Sequence, residues 1–142
     1  MNLDVLNLFS YTGGFSIFAG KGQAKSVTSV DIAKAAIENV ARNFELNQLT
    51  CQQNNIATDA FAFVEQEIKQ KSKYGLVITD PHSFAPNEKS VPQATAAYTK
   101  IFSDSIKLVK KNGYFAASSC SSHIDSKQFM EICKEAFSKT RK

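Results

Sequence analysis

Five short stretches carry side chains able to do chemistry: residues 10–14, Asp31, Asp59, residues 80–84 and residues 119–122. The first reads Ser10-Tyr11-Thr12-Gly13-Gly14 and follows a short apolar run. Glycines there let backbone approach a ligand closely, and an acidic residue some way on can hold both hydroxyls of a ribose. Asp31 lies 18 residues beyond Gly13, which suits that pairing. The loop is not GxGxxG, so the cradle for a pyrophosphate is missing, and no Gly-Lys-Ser/Thr follows to make a P-loop. An adenosine ligand without phosphates fits these residues better, with Asp59 beside the adenine amino group; S-adenosylmethionine is such a ligand. Plainer accounts stay open. Asp31 and Asp59 are good helix N-caps in their own right, and oxidoreductases on similar sheets also bind nucleotides.

Such scattered residues need a scaffold that gathers them. Apolar or β-branched runs predict strands over 5–9, 25–30, 51–56, 74–79 and 114–119. Between them, helical spacing predicts a helix over 15–19 stopped by Gly20 and Gly22, and another over 33–46. Asp59 caps a helix carrying Phe61, Val64 and Ile68. A further helix follows Pro92 with Tyr98, Ile101, Phe102 and Leu108, and is stopped by Gly113. The last bears an apolar stripe of Phe129, Ile132, Cys133, Ala136 and Phe137, leaving 138–142 as a tail. Strict alternation implies right-handed crossovers and a parallel α/β sheet covered on both faces. Ligands of such sheets bind beyond the C-terminal strand ends, where all five stretches fall.

Composition agrees with one folded domain over residues 1–142. Hydrophobic residues make up 43% and charged residues 21%, which excludes disordered and fibrous classes. No apolar run approaches the roughly 18 residues that span a bilayer, so no membrane partner is expected. Three cysteines, an odd number without a secretion signal, point to a reducing cytoplasm. Charge is uneven, −3 over residues 1–68 and +7 over 69–142. A basic half suits a polyanion such as RNA, although Lys69, Lys71, Lys73, Lys107, Lys110 and Lys111 also suit exposed helix ends.

The run VLNLFSYTGGFS (5–16), followed by SVTSVDIAKAAIE (26–38), resembles the S-adenosylmethionine-dependent methyltransferase domain of the large-subunit ribosomal RNA methyltransferases. The likeness continues through YGLVITDPHSFA (74–85), the Tyr98 helix, NGYFAASSCSS (112–122) and Phe129. Among these enzymes it is nearest to the branch making 5-methylcytosine in 23S rRNA. The resemblance implies a Rossmann-like class I methyltransferase fold: a three-layer α/β/α sandwich with a mostly parallel sheet of five strands in the order 3-2-1-4-5. It further implies that Ser10, Tyr11, Thr12, Gly13 and Gly14 contact the methionine part of the cofactor, Asp31 the ribose and Asp59 the adenine. Phe9, Ile32 and Ala60 join that cofactor-binding set, and Asp80 and Pro81 line the place where cofactor and base meet. No residue is assigned to a metal.

In that branch a thiolate adds to cytosine C6 and makes C5 electron-rich. Ser119-Cys120-Ser121 resembles the family's Ser-Cys-Ser motif, which makes Cys120 the expected nucleophile, with Asp80 steadying the cytosine N3 and amino edge. A small buried residue at a strand end is the alternative for Cys120, and Cys51 and Cys133 read as structural. His82 and Phe84 are expected at the substrate, Phe84 as a stacking ring. Three features depart from the family. His82 stands where a second proline would stiffen the loop, which predicts a looser loop. No RNA-binding segment precedes Met1, and the final antiparallel strand pair is missing. The expectation is therefore a C-terminally truncated domain whose fifth strand is a bare edge able to pair with a second copy. A non-catalytic cofactor-binding remnant is the alternative to an active enzyme.

Overall fold

The computed structural model describes residues 2–140; of the expected tail, Arg141 and Lys142 lie outside the described residues. Five strands, β1 (Asp4–Leu8), β2 (Ser26–Asp31), β3 (Gln52–Ala57), β4 (Tyr74–Thr79) and β5 (Val109–Ala117), form one parallel sheet in the order β3-β2-β1-β4-β5. Five helices alternate with them: α1 (Gly14–Lys21), α2 (Lys34–Leu46), α3 (Ala60–Lys69), α4 (Val91–Ile106) and α5 (Ser126–Ser138). The alternation, the strand order and the parallel sense all match expectation.

Register is what positions the site. Leu8 of β1 pairs with Val30 of β2 and Thr79 of β4, Val30 with Ile56 of β3, and Thr79 with Ala117 of β5. The next residues along each strand are therefore Phe9, Asp31, Ala57, Asp80 and Ser118, in a row across one end of the sheet. Side chains alternate between faces. Leu6, Leu8, Val30 and Val77 point into the main core with Val64, Tyr98, Ile101, Phe102 and Ile132 of α3, α4 and α5. Val5 and Val27 point the other way, onto Ile37, Val40 and Phe44 of α2. Each such fully buried aliphatic chain contributes on the order of 1.5–3 kcal/mol.

Local differences have physical causes. Helix α1 runs through Gly20 to Lys21 and is capped at Gly22. A Cβ at position 20 would lie 2.8 Å from Leu49 Cδ1, so Gly20 serves close packing rather than helix termination. Strand β5 starts five residues earlier than expected. Leu108 O accepts from Tyr74 N at 2.8 Å and draws Val109 beside Tyr74, while Asn112, at φ 65°, absorbs the register shift that follows. The helix before it thus ends at Ile106, well short of Gly113. On α5, Ile132 and Ala136 are buried but Phe137 is half exposed. Coverage of the sheet is also uneven, since α1 and α2 leave Leu76 and Ile78 of β4 only partly buried and Tyr114 of β5 exposed. Among the described residues no strand pairs with the outer edge of β5, and no helix is long and apolar enough to cross a membrane.

Candidate active site

The chain reverses sharply after β1. Phe9, Tyr11 and Gly13 all take positive φ, at 57°, 50° and 88°. The turn is held by Ser10 N donating to Val30 O and Gly13 N to Ser10 O, each at 2.9 Å, and by Asn43 Nδ2 donating to Thr12 O at 2.9 Å. Beneath it a buried network, Asn7 Nδ2 to Ser16 Oγ at 2.9 Å and Ser16 Oγ to Ser29 Oγ at 2.6 Å, ties β1, α1 and β2 together. At Gly13 an added Cβ would meet Val40 Cγ2 at 3.0 Å, on backbone that L-residues avoid. Gly13→Ala is accordingly expected to cost about 1–2 kcal/mol of stability from the left-handed backbone alone. Urea unfolding checks this, and a variant as stable as the parent overturns it.

Asp31 ends β2 with both carboxylate oxygens engaged: Oδ2 accepts from Tyr11 N and Oδ1 from Ala33 N, both at 2.9 Å. The carboxylate is thereby fixed in direction, while each oxygen keeps a further lone pair for a ligand. Asp59 does cap α3, Oδ2 accepting from Ala62 N at 2.9 Å. The cap uses one oxygen, and Oδ1 has no partner among the described residues.

Loops after β4 and β5 close the other side. Ser118 Oγ donates to Asp80 Oδ1, so that carboxylate too is held by one oxygen. Cys120 is exposed, and among the described residues its one hydrogen-bond contact is a weak S–H donated to Pro81 O at 3.7 Å. Burial pushes the Cys51 and Cys133 thiols up, as suits inert core cysteines. His82 is exposed and meets Phe84 edge-on, ring centroids 5.0 Å apart, and Phe9 at 6.0 Å. Phe84 itself packs inward, 4.5 Å from the Tyr98 ring.

Together these elements enclose a cleft of about 450 Å³ lined by Phe9, Tyr11, Asp31, Ile32, Asp59, Ala60, Asp80, Pro81, His82 and Cys120. Of the residues expected at the site, Ser10, Thr12, Gly13 and Gly14 belong to the turn beside Tyr11 but are not part of this lining, and Phe84 stands against His82. Among the described residues, three carboxylates and no Lys or Arg line the space. That set of acceptors disfavours a phosphate-bearing nucleotide and suits a ligand with ribose hydroxyls, an amino-bearing ring and a positive charge. Ile32, 75% exposed beside Asp31, offers such a ring an apolar face. The loop expected to be loose is instead tied at three places: Ser83 Oγ lies 2.9 Å from Ser121 Oγ, Phe84 N donates to Tyr98 Oη, and Ala85 N donates to Ser121 Oγ. Sequence reasoning missed these roles of Tyr98, Ser118 and Ser121. Tyr98 falls on an apolar helix stripe and reads as core; the run of hydroxyl residues at 118–122 was the available signal.

Comparison with known proteins matches residues 2–139 to the profile of a family described as S-adenosylmethionine-dependent methyltransferase. A ribosomal RNA large subunit methyltransferase of Deinococcus radiodurans is 35% identical over 133 residues, 93% of this chain and 33% of that protein. Ribosomal RNA large subunit methyltransferase I of Vibrio vulnificus is 32% identical over 94% of this chain and 34% of its own length. The chain thus spans about a third of the curated relatives it matches. Among solved structures, SMU.776, described as a methyltransferase and complexed with SAH, superposes with a TM-score of 0.87 at 31% identity, over 99% of this chain and 37% of that one. A SAM-dependent methyltransferase from Agrobacterium tumefaciens gives 0.75 at 26% identity, over 96% of this chain and 45% of that one.

Proposed function

The chain belongs to the S-adenosylmethionine-dependent methyltransferase family, and from that premise we propose that it methylates carbon 5 of a cytosine in large-subunit (23S) ribosomal RNA, with Cys120 as the nucleophile. The observation that carries the proposal is the shared cleft, in which Cys120 and Asp80 line the same space as Asp31 and Asp59. The names of the relatives support the choice of RNA, and the basic second half of the sequence suits a polyanion.

S-adenosylmethionine, when bound, would supply an electrophilic methyl group, its S–CH3 bond breaking to leave S-adenosylhomocysteine. Asp31 is oriented to accept from the ribose hydroxyls, and Asp59 Oδ1 to accept from the adenine amino group, with Ile32 and Ala60 alongside. Phe9, Tyr11 and the turn through Thr12, Gly13 and Gly14 receive the methionine portion. Toward the base, the Cys120 thiolate adds to cytosine C6, and the electron pair displaced from the ring double bond makes C5 nucleophilic. Carbon 5 takes the methyl group. Loss of the C5 proton to a base then expels the thiolate and restores the ring. Asp80, held by Ser118, accepts from the amino group of the base and so fixes that edge of the ring in place. The exposed His82 ring, backed by Phe84 and Phe9, offers a face to a base drawn out of its stack.

Incubation with methyl-labelled S-adenosylmethionine and unmodified 23S rRNA, followed by nucleoside analysis, tests the proposal. Label is expected in 5-methylcytidine. Label in another nucleoside overturns the cytosine assignment, and absence of label from a protein that binds the cofactor indicates a non-catalytic remnant.

A further inference from the structure

Tyr98 is fully buried on α4, where a phenylalanine would fill the same volume. A hydroxyl in such a place is costly unless bonded, and this one is bonded to both loops that close the cleft. Ser119 Oγ donates to it at 3.2 Å and Phe84 N at 3.3 Å, and Ser121 Oγ lies 2.5 Å away. With its lone pairs taken by Ser119 and Phe84, Tyr98 has one proton to give, and it goes to Ser121. Ser121 Oγ then accepts also from Ala85 N at 3.4 Å and passes its own proton to Ser83 Oγ at 2.9 Å. The chain of bonds has one consistent direction. It joins residues 83–85 to residues 119–121 both through the Tyr98 phenol and directly through Ser121 Oγ.

Cys120 sits between the two serines of that chain and, among the described residues, has only the weak contact to Pro81 O of its own. Its position is inherited from its neighbours. We propose that Tyr98 and Ser121 form a hydroxyl clamp that holds the Cys120 thiol against the loop bearing Asp80, which makes Tyr98 a positioning residue for that thiol. The clamp rests on the reading of Cys120 as the reacting group. It acts on the alignment of the thiol rather than on cofactor or RNA affinity, because Tyr98 does not reach the cleft lining.

The test compares the full chain with Tyr98→Phe and Ser121→Ala by two measurements. In the first, iodoacetamide labelling of each cysteine is followed by peptide mass spectrometry. Cys120, already exposed, is expected to react about threefold faster or more in both variants as its S–H is released from Pro81 O, while the half-buried Cys133 keeps its rate. A Cys120 rate that is unchanged or lower overturns the clamp, and so does a parallel rise at Cys133, which marks general loosening. In the second, methyl transfer to 23S rRNA is expected to lose roughly tenfold to a hundredfold in kcat through misplacement of the thiol, with KM for RNA and Kd for S-adenosylmethionine within about twofold. An unchanged kcat, or a loss carried by KM, overturns it. Full turnover by Cys120→Ser would defeat the nucleophile reading instead and leave the labelling measurement to judge the clamp by itself.

Discussion

Cys120→Ser is expected to abolish methyl transfer to RNA, lowering kcat by roughly 10⁴-fold or more, the scale on which loss of a covalent nucleophile is felt. The chemistry requires a group that is both a good nucleophile and a good leaving group at neutral pH. A thiol serves through its thiolate, whereas a serine hydroxyl stays protonated and expels poorly. The fold gives no other reason for a loss. Among the described residues Cys120 is exposed, donates only the weak bond to Pro81 O, and has no part in the core. Binding of S-adenosylmethionine by the variant should therefore match the parent, and calorimetry checks that arm. Turnover above about a tenth of the parent value would remove Cys120 from the reaction, since an essential nucleophile cannot be replaced at so small a loss.

Asp31→Ala carries the second large effect, on cofactor affinity. Two hydrogen bonds from ribose hydroxyls to a carboxylate are worth on the order of 1.5–3 kcal/mol each, so their loss should weaken binding about 10²-fold to 10⁴-fold. The same carboxylate accepts from Tyr11 N and Ala33 N, so truncation also releases the turn that faces the ligand. Asp31→Asn separates the two contributions. Its single carbonyl oxygen can keep one backbone bond but not the charge, and its affinity should fall between parent and alanine variant. Calorimetric titration with S-adenosylmethionine reads both. An alanine variant that binds within about twofold of the parent would place the ribose elsewhere in the cleft and overturn the assignment.

Much of the fold was legible in the sequence because a buried parallel sheet leaves a strong imprint. Apolar runs such as Tyr74–Thr79 end abruptly at polar residues, and helical spacing returns between them; β4 fell where the residues put it. The weak third strand shows the limit. Its QQNNIA has little intrinsic preference for extended backbone, yet β3 pairs with β2 along six residues because the sheet offers it a ladder. The early start of β5 was hidden for the same reason, since its lysine-rich opening is drawn into line by Tyr74 on the neighbouring strand. The glycine turn, Asp31 and Asp59 could be singled out because backbone freedom and a carboxylate at a strand end have few uses.

What the sequence by itself determined was therefore the alternation of elements, the residues at the strand ends and the family resemblance, all carried by local pattern. Only the tertiary structure decided which of those residues share a cleft. Register does this, by setting Leu8, Val30 and Thr79 level so that Phe9, Asp31 and Asp80 follow side by side. It also decided that Phe84 lies against His82 and that Tyr98 binds two loops at once. The relations among Phe9, Asp31 and Asp80, and between Tyr98 and its partners Phe84 and Ser121, join positions more than ten residues apart, and no local spacing encodes them. A tyrosine on an apolar stripe looks like any other core ring until the partner of its hydroxyl is known.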